Sequence, residues 1–175
     1  MLKVLSSEQI RQADSASIQK EGISSAELME RAATEAYKSI SFQLPLDQTA
    51  EVAIFCGMGN NGGDGLVIGR LLQQAGVKPR MFVLQTADKG SADFELNLQR
   101  LKGSKADIQY LNKENHDFDI PANSFLIDAI FGSGINKPIK GFIKKIVQKI
   151  NSLPNRVFSI DMPSGLFPED NSGND

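Results

Sequence analysis

Three aspartates near the ends of apolar runs are the residues of this sequence that could do chemistry. Asp128 lies inside the run "FLIDAIF", Asp161 follows "RVFSI", and Asp64 comes shortly after "EVAIFC". A carboxylate among apolar residues costs several kcal/mol to bury unless it is paired, hydrogen-bonded or bound to a cation. We therefore expect a site here, although Asp161 could instead bond its own turn and Asp64 could simply cap a helix.

A glycine-rich turn, "GMGNNGGDG", matches the Gly-x-Gly-x-x-Gly pattern of dinucleotide-binding domains. In redox domains of that kind an acid at the end of the second strand holds the adenosine ribose. Here the second strand, "RMFVLQT", ends at Gln85 and Thr86, and Asp88 lies beyond it. Asp64 would also repel a pyrophosphate at the start of the following helix. The pattern therefore disfavours a redox cofactor, and Asn60 to Gly63 suit a left-handed turn around a small ligand.

The three aspartates are expected to converge with Asn61 and Ser164, because ligands in open parallel sheets bind beyond the carboxyl ends of the strands. Such oxygen-only groups suit a hard cation, equally a monovalent ion or magnesium. The only histidine, His116, falls in an exposed polar connection, and Cys56 ends an apolar run as a buried thiol. The loop Gly132 to Lys140 could hold phosphates, with Lys137 as a point charge.

Short apolar runs alternating with helical patterns position these residues. Two capping boxes, Ser6-x-x-Gln9 and Ser24-x-x-Glu27, predict two leading helices. The second helix places one face toward the sheet (Leu28, Ala32, Ala36 and Ile40), and its first turns could line a pocket. From Ala50 onward the alternation predicts an α/β fold with a mostly parallel sheet and helices on both faces.

The composition of the chain argues against several classes of protein. The formal net charge of −2 does not indicate a nucleic-acid partner, and no apolar stretch reaches membrane-spanning length. A single cysteine is compatible with a reducing compartment, and the first residues turn polar too soon for a signal peptide. We therefore expect a cytoplasmic protein.

Three segments in this order, "GMGNNGGDGLVIGR", "FLIDAIFGSGINKPI" and "VFSIDMPSGL", resemble the YjeF N-terminal domain family of NAD(P)HX epimerases. The segment "SSAELMERAA" is also similar to the start of that domain. The resemblance implies a three-layer αβα Rossmann-like sandwich, often a homodimer, that epimerises the hydrated nucleotides NADHX and NADPHX. It also implies fusion or coupling to an ADP/ATP-dependent NAD(P)HX dehydratase.

The resemblance implies roles for particular residues as well. For a reaction of this kind we ourselves expect a carboxyl to act as the acid–base group, namely Asp161, with Asp64 as the alternative, because Asp128 is expected to hold the ion. Potassium is expected on Asn61, Asp128 and Ser164. The substrate is expected on Asn60, Asn61, Gly62, Gly63, Asp64, Gly132, Ser133, Gly134, Ile135, Asn136, Lys137, Pro138 and Asp161.

The family domain continues into a further strand, so we expect residues 1–175 to form a single domain that lacks its last strand and helix. Two alternative functions stay open at this point. One is an NAD(P)-dependent oxidoreductase, and the other is a nucleotide- or protein-binding module without turnover.

Overall fold

Five parallel strands form one sheet in the computed structural model, which describes residues 5–44, 51–104 and 106–172. The sheet order is β3-β2-β1-β4-β5, and every neighbouring pair is parallel. The strands are β1 Val52–Cys56, β2 Arg80–Leu84, β3 Asp107–Leu111, β4 Phe125–Ala129 and β5 Val157–Ser159. The expectation of a cytoplasmic location depends in part on the first residues of the chain. Residues 1–4 of that segment lie outside the described residues.

The three central strands are apolar on both faces. β1 is buried along its whole length, with Ile54 paired to Met81 of β2 on one side and to Ile127 of β4 on the other. The chain leaves β1 toward β2 and later returns to add β4 on the opposite side, so the order reverses at β1. Loops that follow β1 and β4 therefore diverge and leave a crevice at the carboxyl edge of the sheet.

Helices cover both faces of the sheet, as the sequence predicts. The helices are α1 Ser7–Glu21, α2 Ser25–Gln43, α3 Asn60–Gln74, α4 Ala92–Gly103 and α5 Gly141–Ser152. Residues of α2, α3 and α4 form one hydrophobic core with the sheet, and α5 forms the second core on the opposite face. The Phe55 and Phe82 rings stack in that second core at 4.7 Å. The predicted three-layer αβα sandwich is confirmed.

Both predicted capping boxes are present. Ser6 and Gln9 exchange hydrogen bonds at the start of α1, and Ser24 and Glu27 do so at the start of α2. These reciprocal bonds satisfy amide groups that the first helical turn leaves free. Gly22 ends α1 in the left-handed conformation, with φ of 65°.

The predicted sheet-facing side of α2 is only partly right: Ile40 is buried and Ala36 packs against the core, but Ala32 does not lie on the buried face. The buried positions are Ala26, Met29, Ala33 and Ile40, whereas Ala32 is exposed on the described surface. Met29 packs so closely on α3 that a Cβ added to Gly63 would lie 2.7 Å from the Met29 sulfur. Contact with Gly63 places the Met29 side chain in the core. Alanine side chains bury little apolar surface, so alanines alone do not determine which face of a helix is buried.

The sequence also predicts a buried Cys56 and an exposed His116, and the structure agrees with the first of these predictions but not with the second. Cys56 is fully buried, as expected, and burial raises the pKa of its thiol well above the ordinary value. His116 is half-buried rather than exposed, because its ring tilts against Phe142 with centroids 6.1 Å apart. Among the described residues, no helix is long and apolar enough to cross a membrane.

Candidate active site

A crevice of about 1130 Å³ opens at the carboxyl edge of the sheet. The loops after β1, β2, β4 and β5 all contribute to its lining, and α1 and α2 close one side. Among the predicted site residues, Asn60, Asn61, Asp64, the whole segment Gly132 to Pro138, and Asp161 line this crevice. The two remaining predicted substrate residues, Gly62 and Gly63, are buried behind its wall. The predicted site residues are therefore brought to one edge of the sheet.

The glycine-rich turn is shorter than the sequence suggests, because α3 already begins at Asn60. The prediction of a left-handed turn over Asn60 to Gly63 is wrong, since these residues are helical. Gly62 is required for a different reason: a Cβ there would overlap the Gly57 carbonyl oxygen. A Cβ at Gly57 would in turn overlap the Ile130 carbonyl oxygen. The glycines thus let α3 approach the ends of β1 and β4 closely.

Asp128 and Ser164 are joined directly behind the crevice. The Asp128 carboxylate accepts hydrogen bonds from the Ser164 amide at 2.8 Å, the Ser164 hydroxyl at 2.6 Å and the Ile130 amide at 3.1 Å. The Ser164 hydroxyl accepts a further bond from the Phe131 amide at 2.9 Å. Both side chains are buried, so this network satisfies the carboxylate that the sequence places in an apolar strand.

Asp161 has a left-handed backbone, with φ of 62°, and is the only such non-glycine residue in the described part of the chain. Strained conformations of this kind concentrate at functional sites. Its carboxylate accepts a hydrogen bond of 2.5 Å from the Ser133 amide. A Cβ at Gly132 would overlap that carboxylate and lie 3.2 Å from Asn61 Oδ1. Asp161, Asn61 and the Gly132 backbone therefore meet at one point of the crevice.

Asp64 lies one turn after the start of α3, and its side chain is partly buried. Burial, and after it the negative charges of Asp161, Asp14 and Asp93, together raise the pKa of its carboxyl from 3.8 to about 7. A carboxyl with such a pKa can donate and accept protons near neutral pH. Asp64 and Asp161 thus form a carboxyl pair suited to acid–base chemistry.

The side chain of Asn61 has no hydrogen-bond partner among the described residues. Both its amide nitrogen and its oxygen are buried, and neither makes a hydrogen bond within the protein. An orphaned buried carboxamide is costly unless a ligand satisfies it. Asn61, Asp128 and Ser164 all carry side-chain oxygens, the ligand type that an ion such as potassium prefers, and could hold such an ion. In the described residues no cluster of histidine, cysteine and acidic side chains suits a transition metal.

Several lining residues were not predicted from sequence. Ile10, Arg11 and Asp14 come from α1, and the loop after β2 contributes Thr86, Ala87, Lys89, Gly90 and Ser91. Their residue types resemble ordinary surface, so only the tertiary placement of α1 and of that loop reveals them. α2 lines the crevice through Ala32, Ala33 and Ala36, in the middle of the helix, rather than through its first turns as predicted.

Fold and site together define a Rossmann-like α/β domain with a crevice at the switch point of its sheet, lined by both carboxyl and cationic side chains. The chain belongs to the family described as YjeF-related protein N-terminus, whose model matches residues 25–175.

Relatives and a solved structure agree with this assignment. The chain is 33% identical over 166 residues to the NAD(P)H-hydrate epimerase of Lentilactobacillus buchneri, covering 95% of this chain and 74% of the relative. It is 30% identical to the bifunctional NAD(P)H-hydrate repair enzyme Nnr of Thermofilum pendens, covering 94% of this chain and 32% of that protein. A crystal structure of the yeast protein ynu0 superimposes with a TM-score of 0.77 at 26% identity, covering 94% of this chain and 72% of that one.

Proposed function

We infer that this chain is an NAD(P)H-hydrate epimerase, which interconverts the R and S forms of hydrated NADH and NADPH. The observation that carries the proposal is the match, over nearly the whole chain, to relatives of that name. The crevice supports it chemically, because two carboxyl side chains, Asp64 and Asp161, face a space of about 1130 Å³. Ligand sites of drug-sized molecules occupy roughly 300–1,000 Å³, so a dinucleotide portion fits.

The reaction inverts a carbon that carries a hydroxyl and lies next to the nitrogen of the reduced nicotinamide ring. A carboxylic acid donates its proton to that hydroxyl, the carbon–oxygen bond breaks, and the ring nitrogen's lone pair stabilises the cation that forms. Water then adds to the opposite face, and the carboxylate takes back a proton. Positioned acid–base catalysis of this kind contributes about 10²–10⁴-fold.

We assign the proton transfer to Asp161, with Asp64 as the alternative. Asp161 is exposed in the crevice and held by Ser133, so its carboxylate is fixed in place beside the substrate space. Burial and neighbouring acids raise the pKa of Asp64 to about 7, which supports it as the alternative proton carrier. The loop Gly132 to Pro138 and Asn60 would hold the nucleotide by backbone and side-chain hydrogen bonds.

Paired variants test the assignment. Asp161→Asn should remove roughly 10²-fold or more of the enzymatic acceleration while leaving nucleotide affinity within about threefold. Asp64→Asn should lower the rate by a smaller factor, and Asp170→Asn, an exposed carboxyl outside the crevice, should leave it unchanged. Epimerisation would be followed by chromatography, and affinity by calorimetry. An Asp161→Asn enzyme with the unaltered rate would exclude this role for Asp161.

Potassium is part of the proposal. Asn61, Asp128 and Ser164 would hold the ion, which would supply a fixed positive charge beside the nucleotide phosphates. The buried, unpartnered carboxamide of Asn61 supports this assignment.

The proposal extends to the protein's surroundings. The family resemblance supports a homodimer, and the bifunctional relative supports coupling to an ADP/ATP-dependent NAD(P)HX dehydratase. The single cysteine, which is compatible with a reducing compartment, supports a cytoplasmic location. Light scattering would test the dimer. Neither nucleic acid nor membrane is proposed as a partner, given the net charge of −2.

A further inference from the structure

The loop between β2 and α4 forms the side of the crevice that the proposed function leaves unexplained. Thr86, Ala87 and Lys89 line the crevice, whereas Asp88 does not, although all four are exposed. The loop therefore presents a cation, rather than the neighbouring acid, to the substrate space. Lys89 takes part in none of the ion pairs formed within the described ranges.

Hydrogen bonds fix this loop to the turn after β1. The Thr86 amide donates to the Met58 sulfur at 3.3 Å, and the Ser91 amide donates to the Met58 carbonyl at 2.9 Å. Between them, a Cβ on Gly90 would lie 2.6 Å from the Met58 carbonyl oxygen, so only glycine fits. The backbone next to Lys89 is thus held against the glycine-rich turn that borders the same crevice.

Lys89 follows the second strand of the sheet, where dinucleotide-binding domains recognise the adenosine ribose. An acid there hydrogen-bonds the ribose 2′-hydroxyl, and a cation accommodates a 2′-phosphate. The flexible ammonium of lysine acts on phosphate as a point charge. We propose that Lys89 is a specificity-determining residue that binds the 2′-phosphate of NADPHX and so favours NADPHX over NADHX. This inference rests on the proposed epimerase function.

The test compares the two substrates in wild type and Lys89→Met. The variant should raise the KM for NADPHX roughly tenfold, leave the KM for NADHX within about twofold and leave both kcat values unchanged. Lys78→Met is the matched control, because Lys78 is an exposed lysine just before β2, at the opposite edge of the sheet. It should change neither KM.

A binding measurement separates this inference from the proposed function. Calorimetry should show that wild type binds 2′-phospho-ADP-ribose more tightly than ADP-ribose, and that Lys89→Met loses this preference. Equal losses for both ligands would place Lys89 on the shared pyrophosphate and overturn the inference, as would an unchanged preference. Wild type that binds with this preference but epimerises neither substrate would overturn the proposed function and leave the role of Lys89 intact.

Discussion

Ser164 donates both its backbone amide and its hydroxyl to the carboxylate of Asp128, at 2.8 and 2.6 Å. The two residues lie 36 positions apart, so the bonds tie the end of β4 to the turn that follows β5. That turn also carries Asp161, three residues before Ser164. The buried pair therefore fixes the backbone from which one of the crevice carboxyls projects.

Ser164→Ala should destabilise the fold by about 1–3 kcal/mol, because the buried Asp128 carboxylate and the Phe131 amide each lose a partner. Urea denaturation without added potassium measures the free energy of unfolding. Ser15→Ala removes an exposed hydroxyl that bonds only within α1, and it should change stability by no more than about 0.5 kcal/mol. Equal losses in the two variants would contradict a special role for the Ser164 network.

Asp64→Asn should change how stability depends on pH. The folded-state pKa of about 7 lies above the ordinary 3.8, so Asp64's contribution to stability is complete below about pH 4 and is lost as pH rises through about 7. The free-energy advantage of the asparagine variant should therefore grow between about pH 4.5 and 8. Urea titrations at several pH values across this range measure it.

Asp117→Asn is a control of opposite sign. The hydrogen bond from Lys149 lowers the pKa of Asp117, so its contribution is present above the ordinary carboxyl pKa and is lost as pH falls through the lowered value. The cost of replacing Asp117 should thus shrink in acid. A constant difference between wild type and Asp64→Asn across the range would show that the Asp64 pKa is unshifted.

Gly62→Ala should be among the most damaging single methyl additions to the chain. Its Cβ would overlap the Gly57 carbonyl oxygen, and backbone cannot move aside as a side chain can. We expect a loss of at least about 2–3 kcal/mol. Gly103→Ala, in the last turn of α4 and with open space around it, should be neutral or stabilising by up to about 1 kcal/mol. Thermal denaturation of both variants measures these changes in stability. A Gly62→Ala variant as stable as wild type would disprove the close approach of Gly62 to the Gly57 carbonyl.

Potassium should stabilise the wild-type protein, because an ion that binds only the folded state raises its free energy of unfolding. The melting temperature should rise when choline chloride is replaced by potassium chloride at equal ionic strength. Asn61→Ala should lose most of this rise, while Asn112→Ala, at a residue outside the crevice, should retain it. A rise that is the same in wild type and Asn61→Ala would exclude Asn61 as a ligand.

Local patterns made much of the fold predictable. The capping boxes fix the starts of α1 and α2 by contacts within four residues, and the apolar runs set the strands, including β3 at Asp107–Leu111. The sequence places the start of α3 too late, because glycine has a low helix propensity. Only the tertiary contact of Gly62 with Gly57 shows why this glycine-rich segment is helical.

The site residues that follow strands could be predicted from the sequence. Asp64 and Asp161 follow strands, so topology alone brings them together, whereas Asp14 and Lys89 reach the crevice from a helix and a loop whose placement no local pattern fixes. The catalytic and ion-binding roles of these residues stay predictions.

The central claim is tested most directly by adding the protein to a single purified epimer of NADHX and following the other epimer by chromatography. The account predicts conversion to the equilibrium mixture at a rate proportional to protein concentration, well above the rate with heat-denatured protein. Conversion no faster than in buffer alone, with the nucleotide still bound, would contradict it and leave a binding module in its place.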